Sequence, residues 1–143
     1  MIKLTSRSAR QTQTLASNLA TQLKPGAILT LSGPLGSGKT TFVQGLATAL
    51  GITGYTKSPS FTLIRSYDLP NNPGQFHHLD LYRLKSKSDP VLLNIPELIA
   101  QGHHIIAIEW PDLVTDLLPP NAIEINFQVH GDHHRLITTN FKF

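Results

Sequence analysis

The chain has 143 residues, enough for one folded domain that buries about 70% of the surface its unfolded form exposes. With 40% hydrophobic and 15% charged residues it is no disordered polyelectrolyte, and without cysteine it has no disulfide framework, thiolate metal site or cysteine nucleophile. Twelve Lys and Arg against nine Asp and Glu give a formal charge of +3, a slight pull toward acidic partners. The polar start from Met1 to Arg10 has no apolar stretch of secretory-leader length, and no run reaches the about 18 apolar residues of a membrane span. A single domain over residues 1–143, cytoplasmic and not membrane-bound, is expected.

After a strand-like start at Ile2 and Leu4, Ser8 with Gln11 three positions on has the form of a capping box, and Leu15, Leu19 and Leu23 follow at four-residue spacing. This predicts an amphipathic helix over 8–23. Lys24-Pro25-Gly26 stops it, and Ala27 to Leu31, short and apolar on both faces, reads as a buried strand. A glycine-rich segment follows, then Phe42, Val43, Leu46 and Leu50 at helical spacing up to Gly51, so a glycine loop joins a strand to a helix. Strands are expected over 61–67 and 76–82, paired as a hairpin across the Asn71 to Gly74 turn signal. Pro90 to Gln101 reads as one or two short helices stopped by Gly102, with Pro96 in a first turn. Ile105 to Ile108 forms a second buried strand ending in Glu109-Trp110-Pro111. Two further strands, 123–129 and 136–141, flank a histidine-rich turn.

The loop Gly33-Pro34-Leu35-Gly36-Ser37-Gly38-Lys39-Thr40 matches G-x-x-x-x-G-K-[ST], and each residue type has a physical task. Glycines let backbone N–H groups turn inward around phosphates, Lys39 supplies a cation, and the Thr40 hydroxyl is a Mg²⁺ ligand. The helix that follows points its positive end at the same place. Such a site also needs carboxylates on the metal side. Glu109 ends an apolar strand, and at the C-terminal edge of a parallel sheet it would lie beside the loop. By spacing it is the stronger candidate; Asp80 would share that edge only if its strand runs alongside, and is otherwise an exposed strand carboxylate. The chain contains no [NT]-K-x-D segment for guanine, which favours ATP over GTP as the nucleotide.

Four motifs, Gly33 to Phe42, Lys57-Ser58-Pro59-Ser60-Phe61-Thr62, His78-Leu79-Asp80-Leu81-Tyr82-Arg83-Leu84 and Ile108-Glu109-Trp110-Pro111, stand in an order and spacing that resemble the TsaE (formerly YjeE) family over about residues 5–120. The resemblance implies an α/β, P-loop NTPase-like fold: a mixed, mostly parallel central sheet flanked by helices, with antiparallel strands at the C-terminus. It also implies a small ATPase with ATP and Mg²⁺ as cofactors, required for the threonylcarbamoyl modification of adenosine 37 in tRNAs that read ANN codons. Its implied partners are the TsaB and TsaD proteins, with tRNA met indirectly or directly. Residue by residue, it implies that Gly33, Gly36, Ser37, Gly38, Lys39, Thr40 and Thr41 hold phosphate and metal. Ser60, where the family usually has Thr, would offer its hydroxyl near the γ-phosphate and metal. Asp80 corresponds to an acid needed for activity, either a metal ligand through water or a base for the attacking water. Glu109 and Trp110 correspond to the family's E-W pair, and Thr12 to a threonine near the adenine. Pro34 replaces a usual acidic residue, and Asn94 to Glu97 departs from the usual pattern on a partner-facing stretch.

Other features admit plainer readings. Arg83, Lys85 and Lys87 read as a solvated strand end or a contact to phosphate, with a salt bridge near Asp80 as a third option for Arg83. His130, His133 and His134 read as a hairpin turn rather than a metal site. Trp110 either covers the nucleotide site or fills core, and Tyr82 and Phe61 read as packing. The rival functions are a small-molecule kinase and a nucleotide-gated binding module; the five arginines are scattered singly, without the arginine-rich lid such kinases carry. With no arginine evidently placed at the phosphates, although Arg65 or Arg83 could serve, hydrolysis is expected to be slow alone and faster with partners.

Overall fold

In chain order the elements are β1 (Ile2–Ser6), α1 (Ala9–Ala20), β2 (Ile28–Ser32), α2 (Lys39–Ala49), β3 (Ile64–Asp68), β4 (Gln75–Asp80), α3 (Asn94–Gln101, preceded by a 3-10 turn at Pro90–Leu93), β5 (Ile105–Glu109), β6 (Ile123–Val129) and β7 (Arg135–Thr139). This computed structural model describes residues 1–55 and 63–143, so Ser60 and Phe61 lie outside the described residues. The strands form one sheet in the order β1-β7-β6-β2-β5-β4-β3. Its centre, β6-β2-β5-β4, is parallel, while β3, β7 and β1 join through antiparallel pairings. The expected mixed sheet, the β3–β4 hairpin and the antiparallel C-terminal strands are all present.

The two-sided apolar character of the central strands places helices on both faces. On one face Leu29, Leu31, Phe76 and Phe127 pack against Leu19, Phe42, Val43 and Leu46 of α1 and α2. On the other, Ile28, Leu79, Ile106 and Ile108 pack against Leu92, Ile95 and Val114. Alternation along β4 therefore sends His78 and Asp80 to the α1/α2 face and His77 to the other. Helices α1 and α2 approach closely at Gly45, where a Cβ would stand 2.7 Å from the Gln13 backbone.

Local side-chain bonds set the element ends. The Ser8 hydroxyl caps α1 by accepting from Gln11 N–H at 3.1 Å, while Gln11 Oε1 accepts from Arg7 N–H at 2.7 Å, one residue earlier than a capping box has it. Helix α1 stops at Ala20 rather than at residue 23, because Gln22 and Leu23 donate to Leu19 and Ala20 in tighter three-residue turns ahead of Pro25. Strand β4 ends at Asp80, short of Tyr82, because the Asp80 carboxylate accepts the Tyr82 N–H at 3.1 Å and turns the chain. Strand β7 likewise stops at Thr139, whose hydroxyl accepts from Phe141 N–H at 3.1 Å. Among the described residues no helix is long and apolar enough to cross a membrane.

Candidate functional site

The glycine loop leaves β2 at the C-terminal edge of the parallel strands and runs straight into α2. Gly33 sits at φ 147° with no room for a side chain, since a Cβ would meet the Phe127 carbonyl oxygen at 2.7 Å. Gly38 takes the left-handed conformation at φ 106° and caps α2, so the helix begins at Lys39 with its free N–H groups facing the loop. Lys39 Nζ donates to the carbonyls of Gly33 at 2.6 Å and Pro34 at 3.0 Å. These bonds use main-chain oxygen, so the side chain at position 34 takes no part in them. Burial pushes the Lys39 ammonium below its ordinary pKa, and the charges of Glu109 and Asp80 pull it back up.

Strand β4 runs parallel beside β5, with Asp80 in register with Glu109. Glu109 is 3% exposed; its Oε1 accepts from the Thr40 hydroxyl at 3.3 Å and its Oε2 lies 2.5 Å from His78 Nε2. The pKa of Asp80 is raised chiefly by burial and also by Glu109, against the lowering effects of the Tyr82 N–H, His78 and Lys39. His78, fully buried, is one site residue that the sequence reading missed. Its signal was a position two residues before Asp80 on an alternating strand, hence on the same face.

A cavity of about 430 Å³ opens here. It brings together Thr12, Gly36, Ser37, Gly38, Lys39, Thr40, Thr41, Asp80, Glu109 and Trp110, most of the residues expected at the site. Gly33 stands behind the loop, holding Lys39 through its carbonyl. Thr12 lines the wall, but its hydroxyl pairs with Ser6 Oγ at 2.7 Å, leaving its methyl toward Gly38. Asp132 and His133 of the β6–β7 turn and Arg135, the first residue of β7, also line the cavity, and Arg135 Nη2 donates to the Gly36 carbonyl at 3.3 Å. No local motif marks them, since only strand pairing carries that turn to the loop.

Tyr82 corrects the expectation of core or hairpin packing: it is 51% exposed and lies past the end of β4. Its ring lies 4.8 Å from that of Trp110 at the cavity wall. Trp110 packs against the core on the α3 side of the sheet, and its indole stands 4.1 Å from Lys39 Nζ, a cation–π contact. It holds a left-handed backbone at φ 58°, a strained conformation for a non-glycine directly before Pro111, which disfavours the right-handed helical region in the residue ahead of it.

The remaining candidates lie away from this convergence. Arg83, Lys85 and Lys87 are exposed, and the ion pair in this run is Lys87 with Asp116 at 3.8 Å, both well exposed. Among the described residues no group of three His, Asp or Glu side chains is placed to cage a metal ion. A cation here would instead meet oxygen ligands: the Thr40 hydroxyl and the two in-register carboxylates. Ser37, which lines the same cavity, has its buried Oγ without a hydrogen-bond partner among the described residues. Such a set suits Mg²⁺ held jointly with substrate phosphates rather than in an all-protein cage.

The family model described as threonylcarbamoyl adenosine biosynthesis protein TsaE matches residues 6–137. The Bacillus subtilis tRNA threonylcarbamoyladenosine biosynthesis protein TsaE is 38% identical over 128 residues, covering 90% of this chain and 78% of that protein. The TsaE of Treponema pallidum is 35% identical over 137 residues, covering 96% and 98%. The crystal structure of Bacillus subtilis YdiB superposes with a TM-score of 0.79 at 33% identity, over 96% of this chain and 83% of that one. With a strand, glycine loop and helix in this arrangement and a match of this extent, the chain belongs to the TsaE family of threonylcarbamoyladenosine biosynthesis proteins, which are P-loop ATPases.

Proposed function

We propose that this chain binds ATP with Mg²⁺ in the 430 Å³ cavity and hydrolyses it in the cytoplasm to drive the TsaB–TsaD complex through threonylcarbamoylation of adenosine 37 in tRNAs reading ANN codons. The observation that carries the reading is convergence. Lys39, Thr40, Asp80 and Glu109, from two strands and a helix start, line one cavity at the C-terminal edge of the sheet.

In this reading Lys39, already held by the Gly33 and Pro34 carbonyls, places its charge where the transferring phosphoryl group gathers negative charge. The loop N–H groups and the α2 N-terminus bind the phosphate oxygens. Bound Mg²⁺ would supply charge neutralisation between phosphate oxygens, with Thr40 and the carboxylates of Glu109 and Asp80 as the residues that hold it. Glu109 takes the Thr40 hydroxyl proton as a hydrogen bond, leaving the Thr40 lone pairs free to face the cavity. Asp80, with its pKa raised by burial, orients or deprotonates the attacking water. Ser60 is assigned to the γ-phosphate side on its motif, and the wall bearing Thr12 to the base. Arg135 donates to the carbonyls of Gly36, Gly131 and His134; with this guanidinium committed to backbone, slow turnover by the isolated chain is expected.

The test is reconstitution. Added with ATP to TsaB, TsaD and the adenylate-forming enzyme, the chain should restore threonylcarbamoyl transfer to tRNA over many turnovers, and Lys39→Ala should not. Equal transfer with the Lys39→Ala chain, or full-speed ATP hydrolysis with no response to TsaB–TsaD, overturns the reading.

A further inference from the structure

Behind the cavity a hydrogen-bonded row runs through the α1/α2 face of the sheet. It starts at Tyr55, after α2, whose hydroxyl lies 3.3 Å from His78 Nδ1. It continues from His78 Nε2 to Glu109 Oε2 at 2.5 Å and from Glu109 Oε1 to the Thr40 hydroxyl at 3.3 Å. His78 is wholly buried and Glu109 nearly so, which leaves these groups dependent on one another for partners.

The chemistry of the groups gives the row a direction. A carboxylate only accepts, so the Thr40 hydroxyl and His78 Nε2 both donate to Glu109. In the tautomer that carries its proton on Nε2, Nδ1 presents a lone pair that accepts from the Tyr55 hydroxyl. Burial, with Glu109 acting the same way, keeps the Tyr55 phenol protonated well above its ordinary range, as a donor must be. The Tyr55 ring is also stacked on the His78 ring at 6.1 Å and tilted against Tyr67 at 5.6 Å, so its hydroxyl is held on line.

We propose that His78 and Tyr55 are positioning residues for ATP hydrolysis: they fix the Glu109 carboxylate in the orientation that receives the Thr40 hydroxyl. A glutamate side chain is flexible, and fixing it costs rotamer entropy. Without a donor on Oε2 a buried carboxylate turns toward whatever donor it can reach, and Oε1 leaves Thr40. The inference rests on the role proposed for Glu109.

Two measurements test it. In the free protein at pH 8, side-chain nitrogen NMR of His78 should show Nε2 protonated and Nδ1 bare, with the Nδ1 resonance moved in Tyr55→Phe; a proton on Nδ1 overturns the inference. In steady-state hydrolysis, Tyr55→Phe keeps both ring contacts and should lower kcat about 3-fold to 10-fold, the worth of one hydrogen bond, with KM changed less than about twofold. His78→Leu should cost more than about tenfold in kcat, and His78→Gln, whose amide can donate to Glu109 and accept from Tyr55, should recover most of it. A His78→Leu chain that does not fold leaves the decision to Tyr55→Phe and the tautomer. Glu109→Gln separates the two levels. Full activity there overturns the role of Glu109 and this inference with it. Loss of activity there with unchanged kcat in Tyr55→Phe overturns this inference alone.

Discussion

His77 and His78 are neighbours in the chain, both buried, and they face opposite sides of the same strand into different chemistry. His78 has a partner at each ring nitrogen, and one of them is a carboxylate that opens on a cavity. His77 has Ser66 Oγ 2.7 Å from Nδ1 and no hydrogen-bond partner at Nε2 among the described residues. Its ring stands edge-on to His104, 4.6 Å between centroids. His104 in turn accepts from Gln75 N–H at 3.0 Å and pairs with Gln101. No carboxylate enters those contacts and neither of the two histidines lines the cavity, so a buried imidazole is not by itself a sign of function. The sign is convergence of charged and hydroxyl groups on space that a ligand can fill.

The contrast can be broken at either side. Lys39→Ala should have the largest effect, lowering hydrolysis by about two to three orders of magnitude while thermal melting barely moves. A large fall in melting temperature with hydrolysis intact would make Lys39 a structural residue and erase the distinction. Asp80→Asn should follow, with kcat down about a hundredfold and nucleotide affinity within about threefold, read by single-turnover hydrolysis beside equilibrium binding. Gly45→Ala acts on packing instead. With a Cβ 2.7 Å from the Gln13 backbone, it should cost about 1–3 kcal/mol by denaturant unfolding, and a neutral result would mean that α1 can shift freely.

Near neutral pH the smallest effect is expected at His77, whose pKa is pushed down to about 4, chiefly by burial and then by His104. The unfolded chain takes up a proton near pH 6.5 that the buried ring refuses, so the stability from this residue is whole above that pH. It declines as pH falls toward 4, by at most ~1.4 kcal/mol per pH unit. His77→Asn should flatten unfolding free energy against pH over that window without changing hydrolysis at pH 7.5. An unchanged slope would place the acid sensitivity elsewhere.

The strand, glycine loop and helix from Ala27 to Gly51 were legible because each carries a local signal: a short two-sided apolar run, a spaced glycine motif, and a period near four. Asp80 was only half legible. Its residue type and alternation could be read, but whether it reached the site depended on β4 lying beside β5, a pairing that no local pattern encodes. The same reason hid Asp132, His133 and Arg135, which arrive through the β6–β7 pairing. Tyr82 was read as packing because aromatic residues on an alternating strand usually are; the Asp80 side-chain turn ends the strand first and leaves the ring outside. That the Thr12 hydroxyl is taken up by Ser6 was not legible either, since the bond depends on how β1 meets α1.

Strand β1 joins the sheet only by pairing with β7, from Ile2 opposite Thr139 to Ser6 opposite Arg135. Ser6 then holds Thr12, and Arg135 reaches Gly36 across 99 positions of sequence. As the chain is synthesised, the glycine loop and both its flanking elements emerge early, yet one wall of the cavity must wait for β7. Contacts so distant in sequence form late in folding. A growing chain therefore carries the glycine loop long before the cavity beside it is walled on every side, and that enclosure arrives together with completion of the sheet.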